Sequence, residues 1–235
     1  MLSIIIPTLN EEKNLPKLLR SLQDQDLQEA YEIIIADAGS SDKTREIAKS
    51  FGCKIVKGGL PAKGRNEGAK IAKGEIFLFI DADVILPKDF LKKTVEEFSL
   101  RGLDCAGFLV IPQNKKLIYK IIFFVYNSFA VLSQRFFPCG WMAILAKREV
   151  HFKIQGFNEK ITIGEDHWYL KEAKKIAKVG LIKSAKIIGS TRRFEKDGVI
   201  ITCLRYILVG AYTLFFGPPR KNIIKYEFDH YKDNL

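Results

Sequence analysis

The chain predicts an α/β protein whose sheet is mostly parallel and flanked by helices. Three observations carry this. Strand-like apolar segments alternate with amphipathic helical segments over residues 1–100, the pattern of right-handed β-α-β crossovers. Residues 76–80, Ile-Phe-Leu-Phe-Ile, are continuously apolar, as a strand buried on both faces of a parallel sheet requires. Carboxylates stand directly behind two of the strands, Asp37 after the second and Asp81 with Asp83 after the fourth, at the edge where open α/β sheets bind ligands.

Residues 3–6 are the first strand, followed by Pro7-Thr8-Leu9-Asn10-Glu11-Glu12. Asn10 reads as a helix N-cap, and Leu15, Leu18, Leu19 and Leu22 place one helical face on the sheet. Residues 32–36 are the second strand, 43–51 a helix stopped by Gly52, 54–56 the third strand and 63–73 a helix stopped by Gly74. Beyond the fourth strand, 87–98 reads as a helix, 105–111 and 141–146 as strands, 168–177 as a helix, and 179–182 and 185–188 as two further strands. Residues 117–132 and 199–216 are C-terminal apolar amphipathic helices, each interrupted by a cation, Lys120 and Arg205, which argues against a membrane span.

Composition narrows the class. At 235 residues the chain is one domain with an appendage, and 47% hydrophobic content is ample for a core. Met1 leads straight into a strand-like run, which predicts no cleavable signal. The four cysteines are scattered without a Cys-x-x-Cys pair, as in a reduced, cytosolic protein, and show no zinc spacing. The net charge of +11 suits an anionic membrane surface and a phosphate-bearing substrate; no nucleic-acid motif is present. There is no Gly-x-Gly-x-x-Gly after the first strand and no Walker A sequence, which disfavours Rossmann dehydrogenases and P-loop enzymes.

The candidate site residues lie behind the strands. Asp81 and Asp83 are hard oxygen ligands spaced to hold Mg²⁺ or Mn²⁺ together with a substrate phosphate, or else an Asx turn. Asp37 suits a ribose hydroxyl or a base N–H, or a helix cap. Lys63, Arg65 and Asn66 bring donors that match a diphosphate or sugar, or else form a solvated helix end. Glu165 and Asp166 either complement a helix dipole or include a catalytic base. His167 is either a metal ligand or, as a lone histidine more often is, structural. Arg192 and Arg193 beside Phe194 suit a phosphate clamp or a surface ion-pair cluster.

Taken in order, Ile4 to Glu12, Asp37-Ala38-Gly39-Ser40-Ser41-Asp42, Arg65-Asn66-Glu67-Gly68, Asp81-Ala82-Asp83 and Gly164-Glu165-Asp166 resemble the family 2 glycosyltransferases of GT-A fold, over residues 1–195. The resemblance implies inverting transfer from a nucleotide-activated sugar, usually UDP-linked. It implies that Pro7, Thr8 and Glu11 meet the nucleoside, Asp37 the uracil N–H, and Lys63 and Arg65 the nucleotide-sugar pocket. Asp81 would stand by ribose and metal, Asp83 would ligate Mn²⁺ or Mg²⁺, and Asp166, after Glu165, would be the general base. Arg192-Arg193-Phe194 is similar to the Arg-Trp motif of processive members, but Phe replaces Trp and the preceding Gln is absent, which argues against a long processive channel. Trp141 is the acceptor-side candidate. The expected organisation is a GT-A domain over 1–195, with a nucleotide-binding half (1–100) and an acceptor half (101–195), and a membrane-associating or oligomerising extension over 196–235. The acceptor is a hydroxyl or phosphate, lipid-linked at the cytoplasmic membrane face where the chain docks peripherally, with homo-oligomer formation as the rival use of the apolar helices. The alternatives are a nucleotidyltransferase, which would want a Gly-rich basic loop where Pro7 to Glu12 stand, and a non-catalytic nucleotide-sugar-binding protein, against which the retained acids argue.

Overall fold

The computed structural model describes residues 1–217. Four strands, β1 (Leu2–Thr8), β2 (Tyr31–Asp37), β3 (Lys54–Lys57) and β4 (Ile76–Ile80), run parallel and are joined by α1 (Leu15–Gln23), α2 (Thr44–Ser50) and α3 (Pro61–Ile71). Then come α4 (Phe90–Leu100), β5 (Cys105–Pro112), α5 (Leu117–Ser133), β6 (Ala143–Lys147), α6 (Arg148–Lys153), α7 (Glu165–Ala173), β7 (Val179–Gly189), α8 (Arg192–Asp197) and α9 (Val199–Phe216). The strand order is β3-β2-β1-β4-β6-β5-β7, and β6 runs antiparallel to both its neighbours. The expected mostly parallel α/β sheet is therefore present, with β6 reversed inside it.

The period-2 alternation of strand side chains divides the core into two layers. Ile4, Ile6, Leu78, Ile80 and Phe108 face the leucines of α1 and the aromatics of α4 and α5. Ile5, Phe77, Phe79 and Ile144 face α3, α6 and α7 on the other side. On that second side α3 lies unusually close: a Cβ at Gly68 would run into Ile5 Cγ2, so only glycine lets the helix settle onto β1. Pro7, which has no N–H, falls where β1 has outrun β4, since their register stops at Ile5 and Phe79.

Several expectations need correction. Asn10 is not an N-cap. It sits in the left-handed region (φ 52°), and its Oδ1 accepts from the Ser41 N–H at 2.9 Å, while α1 begins only at Leu15. The strands expected at 179–182 and 185–188 are one strand, β7, whose register against β5 shifts between Phe108 and Leu109; that irregularity hides the continuity. The helix expected at 168–177 starts at Glu165, so Glu165 and Asp166 occupy its first turn instead of preceding it. The helices α6 and α8, six residues each, were not expected: too short to show a period. The basic tail expected to strengthen the membrane-facing charge, with Arg220 and Lys221, lies outside the described residues.

Candidate active site

The edge formed by the C-terminal ends of β1, β2 and β4 gathers the predicted acids. At its centre is Arg65, carried toward the sheet by the close packing of α3. Its side chain is 6% exposed, and it donates to Asp81 Oδ1 and Glu165 Oε1, both at 2.7 Å. The guanidinium also lies over the Phe157 ring at 5.2 Å. One planar fork serving two carboxylates is a task that a lysine ammonium cannot copy. Arg65 thus joins the acid closing β4 to an acid 100 residues beyond itself, the one opening α7. Gly164 makes the second possible, since its φ of 76° turns the chain into α7 at the residue before Glu165.

The electrostatics follow. Desolvation pushes the Asp81 carboxyl up to about 7; Arg65 pulls against this, and the charges of Asp83, Glu165 and Asp166 add to the rise. Its side chain remains about one-third open, so water softens each of these effects. Glu165 is likewise raised, first by desolvation, with Arg65 opposing and Asp166 reinforcing. Arg65 is held in its charged form despite burial by Asp81, Glu165 and Asp166.

A second cation closes the site from the other end. Arg192, at the start of α8, donates to both oxygens of Glu11 at 2.7 and 3.2 Å, and its Nε stands 3.2 Å from Asp83 Oδ2. An antiparallel bridge between Ile85 and Ile188 brings this end of β7 against the loop that follows Asp83. Phe194, buried, packs near Tyr119, Phe123 and Tyr206 and ties α8 to α5 and α9. Arg193 donates to the Tyr206 hydroxyl at 3.1 Å.

The remaining candidates separate by what holds them. Asp37 is buried and accepts from the Gly39 and Ser40 N–H groups at 3.1 and 3.0 Å and from the Ser40 hydroxyl at 2.5 Å, with Thr8 Oγ1 at 3.4 Å. Thr8 is buried with it, Pro7 is half-buried, and Lys63 is exposed. Asn66 does not face the acids. Its amide holds the turn at 157–159, accepting from the Phe157 N–H at 2.8 Å and donating to Phe157 O and Glu159 Oε1 at 2.9 Å. His167 Nδ1 accepts from the Gly140 N–H at 3.1 Å, so it ties the segment carrying Trp141 to the helix carrying Asp166. Trp141 stands among Phe123, Tyr126 and Tyr206 with ring centroids 5.0, 4.3 and 6.3 Å away. Nothing in the sequence marked Tyr126 or Tyr206 as neighbours of the site, because their approach depends on how α5 and α9 pack.

Among the described residues no group of three or more His, Cys, Asp or Glu side chains is arranged to hold a metal ion. Asp81 and Asp83 nonetheless offer carboxylate oxygens in a cluster where acids outnumber cations. That donor set fits a hard divalent ion that completes its shell with substrate phosphate and water, the usual mode for Mg²⁺.

The sequence model described as "Glycosyl transferase family 2" matches residues 3–152. The chain belongs to this family. Among its relatives, the poly(ribitol-phosphate) beta-N-acetylglucosaminyltransferase TarS of Staphylococcus aureus is 36% identical over 128 residues, 51% of this chain and 20% of TarS. The dolichyl N-acetyl-alpha-D-glucosaminyl phosphate 3-beta-D-2,3-diacetamido-2,3-dideoxy-beta-D-glucuronosyltransferase of Methanococcus voltae is 38% identical over 107 residues, 41% of this chain and 33% of that protein. This family 2 chain thus spans a third or less of these two relatives. Among solved structures, S. aureus TarS 1–349 in complex with UDP-GlcNAc superposes with a TM-score of 0.66 at 24% identity, covering 81% of this chain and 58% of the other. The Pyrobaculum calidifontis mannosyltransferase PcManGT, in complex with GDP-Man and Mn²⁺, gives 0.65 at 20% identity, covering 80% and 56%. Both establish the shared fold, the GT-A sheet of the family 2 glycosyltransferases.

Proposed function

We propose that this family 2 chain moves a sugar from a nucleotide diphosphate sugar, UDP-linked, to an acceptor oxygen with inversion at the anomeric carbon. The observation that carries the reading is Arg65 joining Asp81 to Glu165, which sets the Asp81-Ala82-Asp83 acids beside Asp166. UDP-GlcNAc in the TarS structure supports the choice of nucleotide.

Glu11, Thr8 and Pro7 line the nucleoside side, with Asp37, Lys63 and Arg65 completing the nucleotide-sugar pocket. Asp83, with Asp81, would hold Mn²⁺ or Mg²⁺, whose charge offsets the negative charge that grows on the diphosphate as it leaves. Arg192, now on Glu11 and Asp83, has the geometry to move onto a phosphate oxygen, and Arg193 stands next to it. Asp166 takes the proton from the acceptor oxygen on the face of the sugar opposite the diphosphate, and Glu165, held by Arg65, fixes the turn that presents Asp166. The donor chemistry belongs to residues 1–100 and the acceptor side, with Trp141, to 101–195.

Residues 196–235 and α5 serve a membrane face. Among the described residues no helix is long and apolar enough to cross a membrane. Phe124, Leu132, Ile200 and Leu208 are nevertheless well exposed on α5 and α9, Lys115 and Lys116 directly precede the first of these helices, and Lys120 lies in its first turn. Apolar insertion reinforced by about 1 kcal/mol per basic residue near anionic lipid gives peripheral binding. Relatives named for dolichyl- and undecaprenyl-phosphate substrates support a lipid-linked acceptor.

Calorimetry of UDP with and without Mn²⁺, in wild type and Asp83→Ala, tests the donor site. Metal-dependent binding lost in the variant is expected. Unchanged affinity would sink the assignment of Asp83. Metal-dependent hydrolysis of UDP-sugars separates an enzyme from a binding protein, and a preference for nucleoside triphosphates would point instead to nucleotidyl transfer. Flotation with anionic vesicles, weakened by salt, is expected for the membrane face; no flotation with a stable dimer would assign those helices to a second copy of the chain.

A further inference from the structure

Tyr126, on α5, presents an anomaly. Its hydroxyl is buried, yet among the described residues it has no hydrogen-bond partner. Buried hydroxyls in folded proteins are almost always bonded, and an orphan is costly enough to call for an explanation. The helix itself is firmly held. The next residue, Asn127, clamps the helix to β5: its Oδ1 accepts from the Val110 N–H at 3.0 Å and its Nδ2 donates to Val110 O at 2.7 Å. β6 pairs with β5 only at Cys105 and Ala106, so the Asn127 amide takes the place of a neighbouring strand further along. The Tyr126 ring is also fixed, against Trp141 at 4.3 Å.

The position of the hydroxyl relates it to the reaction. Burial pushes the phenol well up, and the charges of Cys139, Asp166 and Tyr206 push it further. Asp166 acts in the same way on Asp81, Arg65 and Glu165. Geometry makes the same connection: Tyr126 packs on Trp141, and the bond from the Gly140 N–H to His167 Nδ1 ties the segment carrying Trp141 to the helix turn that carries Asp166, the general base proposed above. Asp166 is the carboxylate among the groups acting on Tyr126, and a phosphate brought beside it would meet like charge. A neutral hydroxyl would not.

We infer that the Tyr126 hydroxyl, on the aromatic wall formed with Trp141, is an acceptor-binding group that hydrogen-bonds a neutral hydroxyl of an acceptor sugar, holding that sugar beside Asp166. This rests on the transfer reading above and narrows its acceptor from any oxygen nucleophile to a saccharide. An aromatic wall with one buried polar group is the usual composition of a small-ligand site. The rings supply apolar area for the sugar's C–H face, and the hydroxyl supplies orientation.

Tyr126→Phe removes the oxygen and keeps the ring. Trp141 and Trp168 are the two tryptophans of the chain, so in a Trp168→Phe background the fluorescence reports Trp141 alone. Methyl glycosides of glucose, galactose and N-acetylglucosamine, titrated in the presence of UDP and Mn²⁺, serve as probes. Saturable quenching by at least one glycoside is expected, with affinity about tenfold weaker after Tyr126→Phe, the scale of a single hydrogen bond. Thermal stability should be unchanged or higher, because the hydroxyl bonds nothing within the fold. Equal affinity in both proteins, or no saturation by any glycoside, overturns the inference; so does a fall in melting temperature, which would show the hydroxyl bonded within the fold. If neither protein binds or hydrolyses UDP-sugars, the transfer reading fails on its own, and the fluorescence titration still decides the role of Tyr126.

Discussion

Replacing Arg65 with methionine keeps an apolar stem of similar length and removes the charge on which the site is centred. Two ion pairs at 2.7 Å are lost at once, from a side chain 6% exposed. Removing one partner of a buried pair costs about 3–5 kcal/mol, because the other charge is left uncompensated. Glu165 is well buried, but the Asp81 side chain is 34% exposed and water screens it. The expected loss is therefore at the lower end, about 3 kcal/mol near neutral pH. The pH dependence gives the sharper test. Both acids have raised pKa values, that of Asp81 to about 7, so they bind protons more readily folded than unfolded. Stability held in this way is present at low pH and lost as pH rises through the folded value. Without Arg65 the acids rise further, so the variant should lose stability more steeply on going from pH 5 to pH 8 than wild type does. Urea unfolding at the two pH values measures this. A loss below about 1 kcal/mol, or one equal at both pH values, would refute the claim that Arg65 neutralises two buried carboxylates.

Two further outcomes are expected. His151 is buried in a cluster with Phe77, Phe79 and Tyr169, its Nδ1 3.1 Å from the Tyr169 hydroxyl, and desolvation lowers it from 6.5 to about 4. A depressed histidine stabilises the fold fully above 6.5 and ceases to do so as pH falls toward 4, a swing on the order of 3 kcal/mol; urea unfolding of wild type and His151→Phe between pH 7.5 and 4.5 checks it, and parallel curves would show that the imidazole titrates normally. Asp166→Asn keeps the shape of the group and removes its basicity, so transfer should slow by roughly a hundredfold or more with donor binding intact; turnover within a few-fold of wild type would pass the role of base to Glu165.

What the sequence disclosed depended on the range over which each signal acts. β4 and α9 were placed with their observed ends, because a continuous apolar run or an abrupt glycine is a local fact. For α1 the sequence points to too early a start, because Asn10 has cap chemistry but is used, in a left-handed turn, to bind the loop after β2. The acids behind β2 and β4 were legible from position alone. The partnership of Arg65 with Glu165 was not, since it joins residues 100 apart, nor was the use of Asn66 on the turn 91 residues away. Trp141 stood out by its type. Its neighbours Tyr126 and Tyr206 did not, because each lies within a long apolar stretch where an aromatic looks like ordinary packing material.

The reversal of β6 has a consequence for how such a protein can diversify. A parallel strand delivers to the ligand edge only the residues at its C-terminal end. Because β6 runs the other way, Ala143, its first residue, lies opposite Ile80, the last of β4, and the chain entering β6 arrives beside Asp81; the Asp81 N–H is bonded to Met142 O at 2.9 Å. The segment from the end of α5 to Met142 is thus a separate supply line to the same edge, anchored to the donor acids by backbone and free of the β-α-β units that carry them. Under the transfer reading proposed above, changes in its side chains would retarget the acceptor and leave the acids behind β4 untouched.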